Sequence, residues 1–148
     1  MSLTNLLYHI VFSTKDRHPL ITNAIEQRLY EYLGGIIRGQ RGIALEINGI
    51  PDHVHILAKL SQNRAVADVL RDLKADSSGW VHKNFPLARH FGWQVGYAAF
   101  TVSESQVTRV RQHIRNQKQH HKKISFQEEL ISLLKAHKIQ FDEKYLWR

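Results

Sequence analysis

His53 and His55 flank a single valine in the run PDHVHILAKL, residues 51 to 60. In an extended strand, residues i and i+2 point to the same side. Both imidazoles therefore share a face with Leu57 and Lys59, while Val54, Ile56, Ala58 and Leu60 share the other. Two neutral imidazoles at that spacing can bind one divalent cation, and Asp52, just before them, is placed to orient a ring. A pair is an incomplete site, and with 10 histidines in 148 residues an i, i+2 pair also arises by chance. A second set lies in VRQHIRNQKQHH, residues 110 to 121. His113 and Gln117 are four apart and share a helix face, with Gln117 on or beside the inward stripe of Val107, Val110 and Ile114. Arg109, Arg111, Arg115, Lys118, Lys122 and Lys123 flank it. Such a helix either completes a site or is a solvated basic helix whose apolar face fades toward one end.

The elements that must position these residues follow from periodicity. Residues 6–15 read as a strand. Thr22 or Asn23 caps a helix running to about Gly39, with Ile25, Leu29, Leu33, Ile36 and Ile37 on one face and a weak point at Gly34-Gly35. Residues 43–50 and 53–60 read as two strands joined by a tight turn. Ser61 or Asn63 opens a helix bearing Val66, Val69, Leu70, Leu73 and Trp80, which ends near residue 86. A fourth strand is expected over 92–103, then the basic helix, and then a last helix with Phe126, Leu130, Leu133 and Leu134. The aromatic end, IQFDEKYLWR, is too apolar for a free tail and is expected to dock on the body or on a partner chain. The order β-α-β-β-α-β predicts an α+β, ferredoxin-like (split β-α-β) four-stranded antiparallel sheet with extra C-terminal helices, all in one domain spanning 1–148. Helices cover one sheet face. The histidine pair projects from the other, which stays open unless something covers it.

Composition narrows the partners. Lys and Arg total 21 against 13 acidic residues, a formal charge of +8 and a pI near 9.9, which points to a polyanion and first to nucleic acid. Cysteine is absent, so thiolate metal sites are excluded and a cytoplasmic location fits. The N-terminal residues lack a basic leader with a small-residue cleavage site, and no apolar run approaches a membrane span.

Taken together, the His-hydrophobic-His triplet on the third strand, GWQVGYAAFTVSES after it and a helix reaching NQ resemble the HUH transposases. Within them the chain is similar to the single-tyrosine transposases of insertion-sequence-200-like elements and the REP-associated tyrosine transposases. VFSTKDRHPL, PDHVHIL and NQKQHHKKISFQEELISLLKAHKIQFDEKYLW extend the likeness almost end to end. The resemblance implies cleavage and rejoining of single-stranded or hairpin DNA through a 5′-phosphotyrosine link, which conserves the phosphodiester energy. It implies one Mg²⁺ or Mn²⁺ ion on His53, His55 and Gln117, acting as Lewis acid and template, although imidazole suits zinc better than magnesium. It also implies a homodimer in which the nucleophile helix of one chain serves the histidine pair of the other. The protein would be bacterial and nucleoid-associated when bound to DNA. Phosphate contacts are expected from Lys15, Arg17, Lys59, Lys74, Arg111 and Arg115.

The chain departs from the pattern at the nucleophile. Where the family would read YIRNQ, this chain reads HIRNQ, and His113 holds the catalytic position. Three explanations stand open: the nucleophile is lost and DNA binding survives, His113 itself attacks, or another tyrosine substitutes, Tyr30 and Tyr32 lying on the first helix and Tyr145 in a tail that could move, while Tyr97 on the fourth strand reads as structural. Two wider alternatives are a noncatalytic nucleic-acid-binding module and a small metalloenzyme unrelated to DNA. An RNA-binding sheet of RRM type would carry aromatics where His53 and His55 stand.

Overall fold

The structure, a computed structural model, describes residues 1–147. Strands β1 (Leu6–Ser13), β2 (Ile43–Ile50), β3 (His53–Leu60) and β4 (Ala98–Thr101) form an antiparallel sheet in the order β2-β3-β1-β4. Helices α1 (Asn23–Gly39) and α2 (Val66–Asn84) make the crossovers, giving the ferredoxin-like α+β fold. Period-two alternation sends Ile10, Phe12, Val54, Ile56, Ala58 and Leu60 to one face. There they bury against Ile25, Leu29, Leu33 and Ile37 of α1 and Val69, Leu70, Leu73 and Val81 of α2. The glycine pair does not interrupt α1.

The second face is not open. The chain's own C-terminal segment covers it, which corrects the expectation of an exposed histidine pair. Helices α3 (Val107–Arg115), α4 (Gln117–His120) and α5 (Phe126–Ala136) lie there. Phe126, Leu130 and Leu134 of α5 pack on Val11 and Phe100 of the sheet, with Phe141, Leu146 and Trp147 joining them. Among the described residues the tail thus docks on the body, ending in the short helix α6 (Glu143–Leu146), and the Arg17 guanidinium lies 5.1 Å above the Trp147 ring.

Other boundaries move for identifiable reasons. The strand expected over 92–103 is only 98–101, because the Lys74 ammonium takes the carbonyls of Gln94 (3.0 Å), Val95 (3.3 Å) and Gly96. Pairing with β1 survives in this segment only as the isolated Thr14–Trp93 bridge. Strand β1 stops at Ser13, and Asp16 and Arg17 turn the chain with positive φ. Ser61 Oγ accepts from the Asn63 amide at 3.1 Å, a local turn that competes with helix, so α2 starts only at Val66. The single basic helix breaks at Asn116, where the Asn48 side-chain amide donates to the carbonyls of Ile114 and Arg115, both at 3.0 Å. A side chain inserted into the carbonyl ladder is a known cause of such kinks.

Pro51 and Asp52 close the β2–β3 hairpin, and Ile50 pairs with His53 across it. A Cβ on Gly49 would run into the His53 carbonyl oxygen and the Val54 backbone, whereas one on Gly35 would meet nothing within 4 Å. Gly49→Ala should therefore destabilise the protein by about 1–3 kcal/mol. Gly35→Ala, in a helix, should leave it unchanged or stabilise it by up to about 1 kcal/mol. Thermal unfolding of the two variants checks this, and equal melting temperatures would contradict it.

Candidate metal centre

Strand β3 and helices α3 to α5 enclose a cluster of imidazoles around one carboxylate. His53 and His55 are fully buried, as is Gln117, and Glu129 is 2 % exposed. His53 Nδ1 lies 2.7 Å from Asp52 Oδ1 and His53 Nε2 lies 2.9 Å from Gln117 Oε1. Asp52 therefore orients the ring, and Nε2 faces the glutamine four residues beyond His113. His55 Nε2 lies 2.8 Å from Glu129 Oε1, and its Nδ1 lies 2.7 Å from His9 Nε2. His121 Nε2 approaches Gln117 Oε1 at 3.0 Å and Glu129 Oε1 at 3.1 Å. His113 is a third exposed, with Nε2 3.0 Å from Glu129 Oε2 and 3.3 Å from Gln117 Nε2.

The sequence brings these groups together for local reasons. Alternation on β3 turns both imidazoles toward α3–α5 rather than toward α1 and α2. Ser125 caps α5 by accepting from the Glu128 amide at 3.1 Å while Glu128 Oε1 accepts from the Ser125 amide at 3.3 Å, a capping box. It fixes the first turn, so Glu129 falls on the stripe of Phe126, Leu130 and Leu134, one turn from a helix N-terminus that favours negative charge. Helix α3 is moored to β2 by Arg111, which donates to Glu46 Oε1 at 3.1 Å and to the Leu45 carbonyl at 2.9 Å, and by Arg115, 2.9 Å from the same oxygen. Lys118 of α4 donates to Asn48 Oδ1 at 2.9 Å and to Glu26.

Electrostatics follow the geometry. Burial pushes His55 down to about 4, against the opposing pull of Glu129. Burial likewise lowers His9, with the His55 and His113 charges adding to it. At His53 burial acts downward too, but the Asp52 and Glu129 carboxylates outweigh it and the pKa rises. Glu129 is held far below the usual carboxylate range because hydrogen bonds from the surrounding imidazoles overcome its burial.

His53, His55, Gln117 and His113 thus converge on one centre. Glu129, His121, His120 and His9 were not singled out from the sequence. The signal for Glu129 was a carboxylate on an otherwise apolar helical stripe. His120 and His121 follow Gln117 at i+3 and i+4. His53, His55, His121 and Glu129 each offer a ligand atom within 4.8 Å of the others. With metal–nitrogen bonds of about 2.1 Å, ligand atoms around one ion stand about 3–4 Å apart, so the donor set fits a divalent cation.

The basic residues named from the sequence do not form one patch. Lys15 is exposed and Arg17 lies on Trp147. Lys59 sits at the far end of β3, about 20 Å along the strand from His53. Lys74 serves the loop before β4, and burial lowers its pKa to about 8. Arg111 and Arg115 are paired with Glu46. A cleft of about 480 Å³ opens beside the exposed edge of His113, lined also by His9, Ser103, Gln106, Arg109 and His137.

Residues 2–117 match the family described as Transposase IS200 like. The chain belongs to this family of IS200-like transposases. It is 28% identical over 119 residues to the ISDra2 transposase TnpA of Deinococcus radiodurans, covering 76% of this chain and 84% of that protein. A crystal structure of a Deinococcus radiodurans transposase superposes with a TM-score of 0.63 at 26% identity, over 78% of this chain and 93% of the other. The REP-associated tyrosine transposase bound to a REP hairpin shares the fold, with a TM-score of 0.63 at 11% identity over 82% and 71% of the two chains. Among the described residues no helix is long and apolar enough to cross a membrane.

Glu129 helps Asp52 raise the His53 pKa, so Glu129→Gln in the presence of chelator should move the His53 ring titration to lower pH. The variant should also cost about 1–3 kcal/mol of stability, since buried imidazole N–H groups lose a charged acceptor. Histidine NMR titration reads the first effect, and an unmoved His53 would contradict it.

Proposed function

We propose that this chain binds single-stranded DNA, hairpins included, and grips a backbone phosphate through a divalent ion held by His53, His55 and Gln117. The covalent step of strand transfer lacks its nucleophile in this reading. What carries it is the convergence of the two β3 imidazoles, Gln117 and the residue four before it on one centre, in a chain of the IS200-like transposase family. When bound, the ion supplies Lewis-acid polarisation of the phosphate and a fixed position for it. Asp52 holds the His53 ring so that Nε2 is presented to the ligand position, and His9 does the same for His55. The cleft beside His113 gives a nucleotide access, with Arg109 in its wall, and the net charge of +8 draws in the polyanion.

His113 sits where a nucleophile would stand, but its Nε2 faces a carboxylate oxygen, which, with no ion between them, favours an N–H on that nitrogen. Tyr30, Tyr32 and Tyr97 lie away from the centre. Tyr30 and Tyr32 belong to α1, on the opposite sheet face, and Tyr32 stacks on Trp80. Tyr97 lies near the Lys74 ammonium. Tyr145 is on α6, in the layer that shares the histidine face. The homodimer implied by the resemblance would require α3 and α4 to leave Glu46, Asn48 and Glu26 and enter the partner's centre. The reading favoured here completes the centre within one chain.

Incubated with Mn²⁺ and hairpin DNA from the flanks of its own gene, the protein should shift the DNA in a salt-sensitive, metal-dependent manner without forming a covalent adduct. His113→Tyr should form one. Replacing both His53 and His55 with Ala should abolish Mn²⁺ binding while leaving the far-UV circular dichroism native. An adduct on His113 or on Tyr145 of the unaltered chain would overturn the noncatalytic reading, and unchanged Mn²⁺ binding by the double variant would overturn the metal assignment.

A further inference from the structure

The Glu129 carboxylate has two faces, and each meets its own set of imidazoles. Oε1 lies 2.8 Å from His55 Nε2, 3.4 Å from His53 Nε2 and 3.1 Å from His121 Nε2. Oε2 lies 3.0 Å from His113 Nε2 and 3.2 Å from His120 Nε2. The atoms of the second set also fall within 4.8 Å of one another. His120 Nε2 is buried and makes no aligned hydrogen bond to any partner. Gln117 spans the two sides, with Oε1 toward His53 and His121 and its amide donating to Glu129 Oε2 at 2.9 Å.

We propose that Glu129 bridges two metal sites, the second formed by His113, His120 and Glu129 Oε2. The first site is the one proposed above on His53, His55 and Gln117, with His121 Nε2 and Glu129 Oε1 within reach of the same ion. Its protein donors are almost fully buried. The second has two imidazoles and one carboxylate oxygen, a set that leaves positions for outside ligands. It is also the exposed one, since the His113 and His120 side chains are each about a third accessible. One carboxylate shared between two ions fits a separation of about 3.5–4 Å, the spacing of two-metal phosphoryl sites. A ligand set dominated by imidazole selects a transition metal such as zinc over magnesium. The replacement at position 113 then has a chemical meaning: it contributes a metal ligand.

Apart from the shared Glu129, the second site rests on residues the first does not use, so it can fail while the first stands. Zn²⁺ titration by calorimetry, with metal content of the dialysed protein measured in parallel, should give two ions per chain. His113→Ala combined with His120→Ala, at partly exposed positions that tolerate truncation, should give one. Glu129→Gln should weaken both ions at least tenfold. One ion in the unaltered protein, or two that survive the His113/His120 variant, would overturn the second site and leave the His53–His55 reading standing. No ion at all would overturn both. An ion whose affinity is unchanged in Glu129→Gln would overturn the bridge.

Discussion

The second layer of this protein is organised by one buried charge. A carboxylate removed from water is costly unless paired and hydrogen-bonded, and Glu129 is among the least accessible polar residues of the chain. Its two oxygens are matched by imidazole nitrogens from β3, α3, α4 and the turn after α4, and by the Gln117 amide. None of those elements is adjacent to Glu129 in sequence except through the Ser125 cap. The carboxylate therefore does for this layer what apolar burial does for α1 and α2. It fixes how α5 sits against the sheet and which way the imidazoles of four separate segments point.

That arrangement depends on anchoring at the edge of the sheet. Glu46 on β2 accepts from both Arg111 and Arg115, and Asn48, two residues on, donates to the carbonyls at the end of α3. Together they set both the position of the helix and its break, and the break turns Gln117 inward. Positive charges that look from the sequence like phosphate contacts are in this way part of the scaffold. The cleft at His113, with Arg109 in its wall, is open to a nucleic acid.

Much of the sheet layer was legible because its signals are local. Alternation on β3 assigns every residue to a face, and the spacing of Ile25, Leu29, Leu33 and Ile37 draws α1 correctly. The convergence of His53, His55, His113 and Gln117 came from spacing together with family resemblance. The cover over the histidine face was less legible, because no local pattern distinguishes a helix that packs on its own sheet from one that packs on a partner. The break at Asn116 and the shortness of β4 are imposed by the side chains of Asn48 and Lys74, distant in sequence and invisible to periodicity. Glu129 could have been read from FQEELISLL, where it stands at i+3 from Phe126 on a stripe otherwise apolar. A carboxylate in that position requires cationic, protic or metal partners, and the chain supplies histidines.

Position 113 and Glu129 are coupled electrostatically. A tyrosine nucleophile must approach the phenolate, and a carboxylate 3 Å from its position would oppose that charge. An imidazole in the same place is favoured by the carboxylate, either as an N–H donor or as a ligand to an ion they share. Within the IS200-like framework, a buried glutamate here and a tyrosine at 113 work against each other unless a cation lies between them, whereas a buried glutamate and a histidine support each other. The His113 departure and the carboxylate beneath it thus belong to one local solution. On the proposed reading, that solution trades an attacking oxygen for coordination and keeps the β3 histidine pair in use.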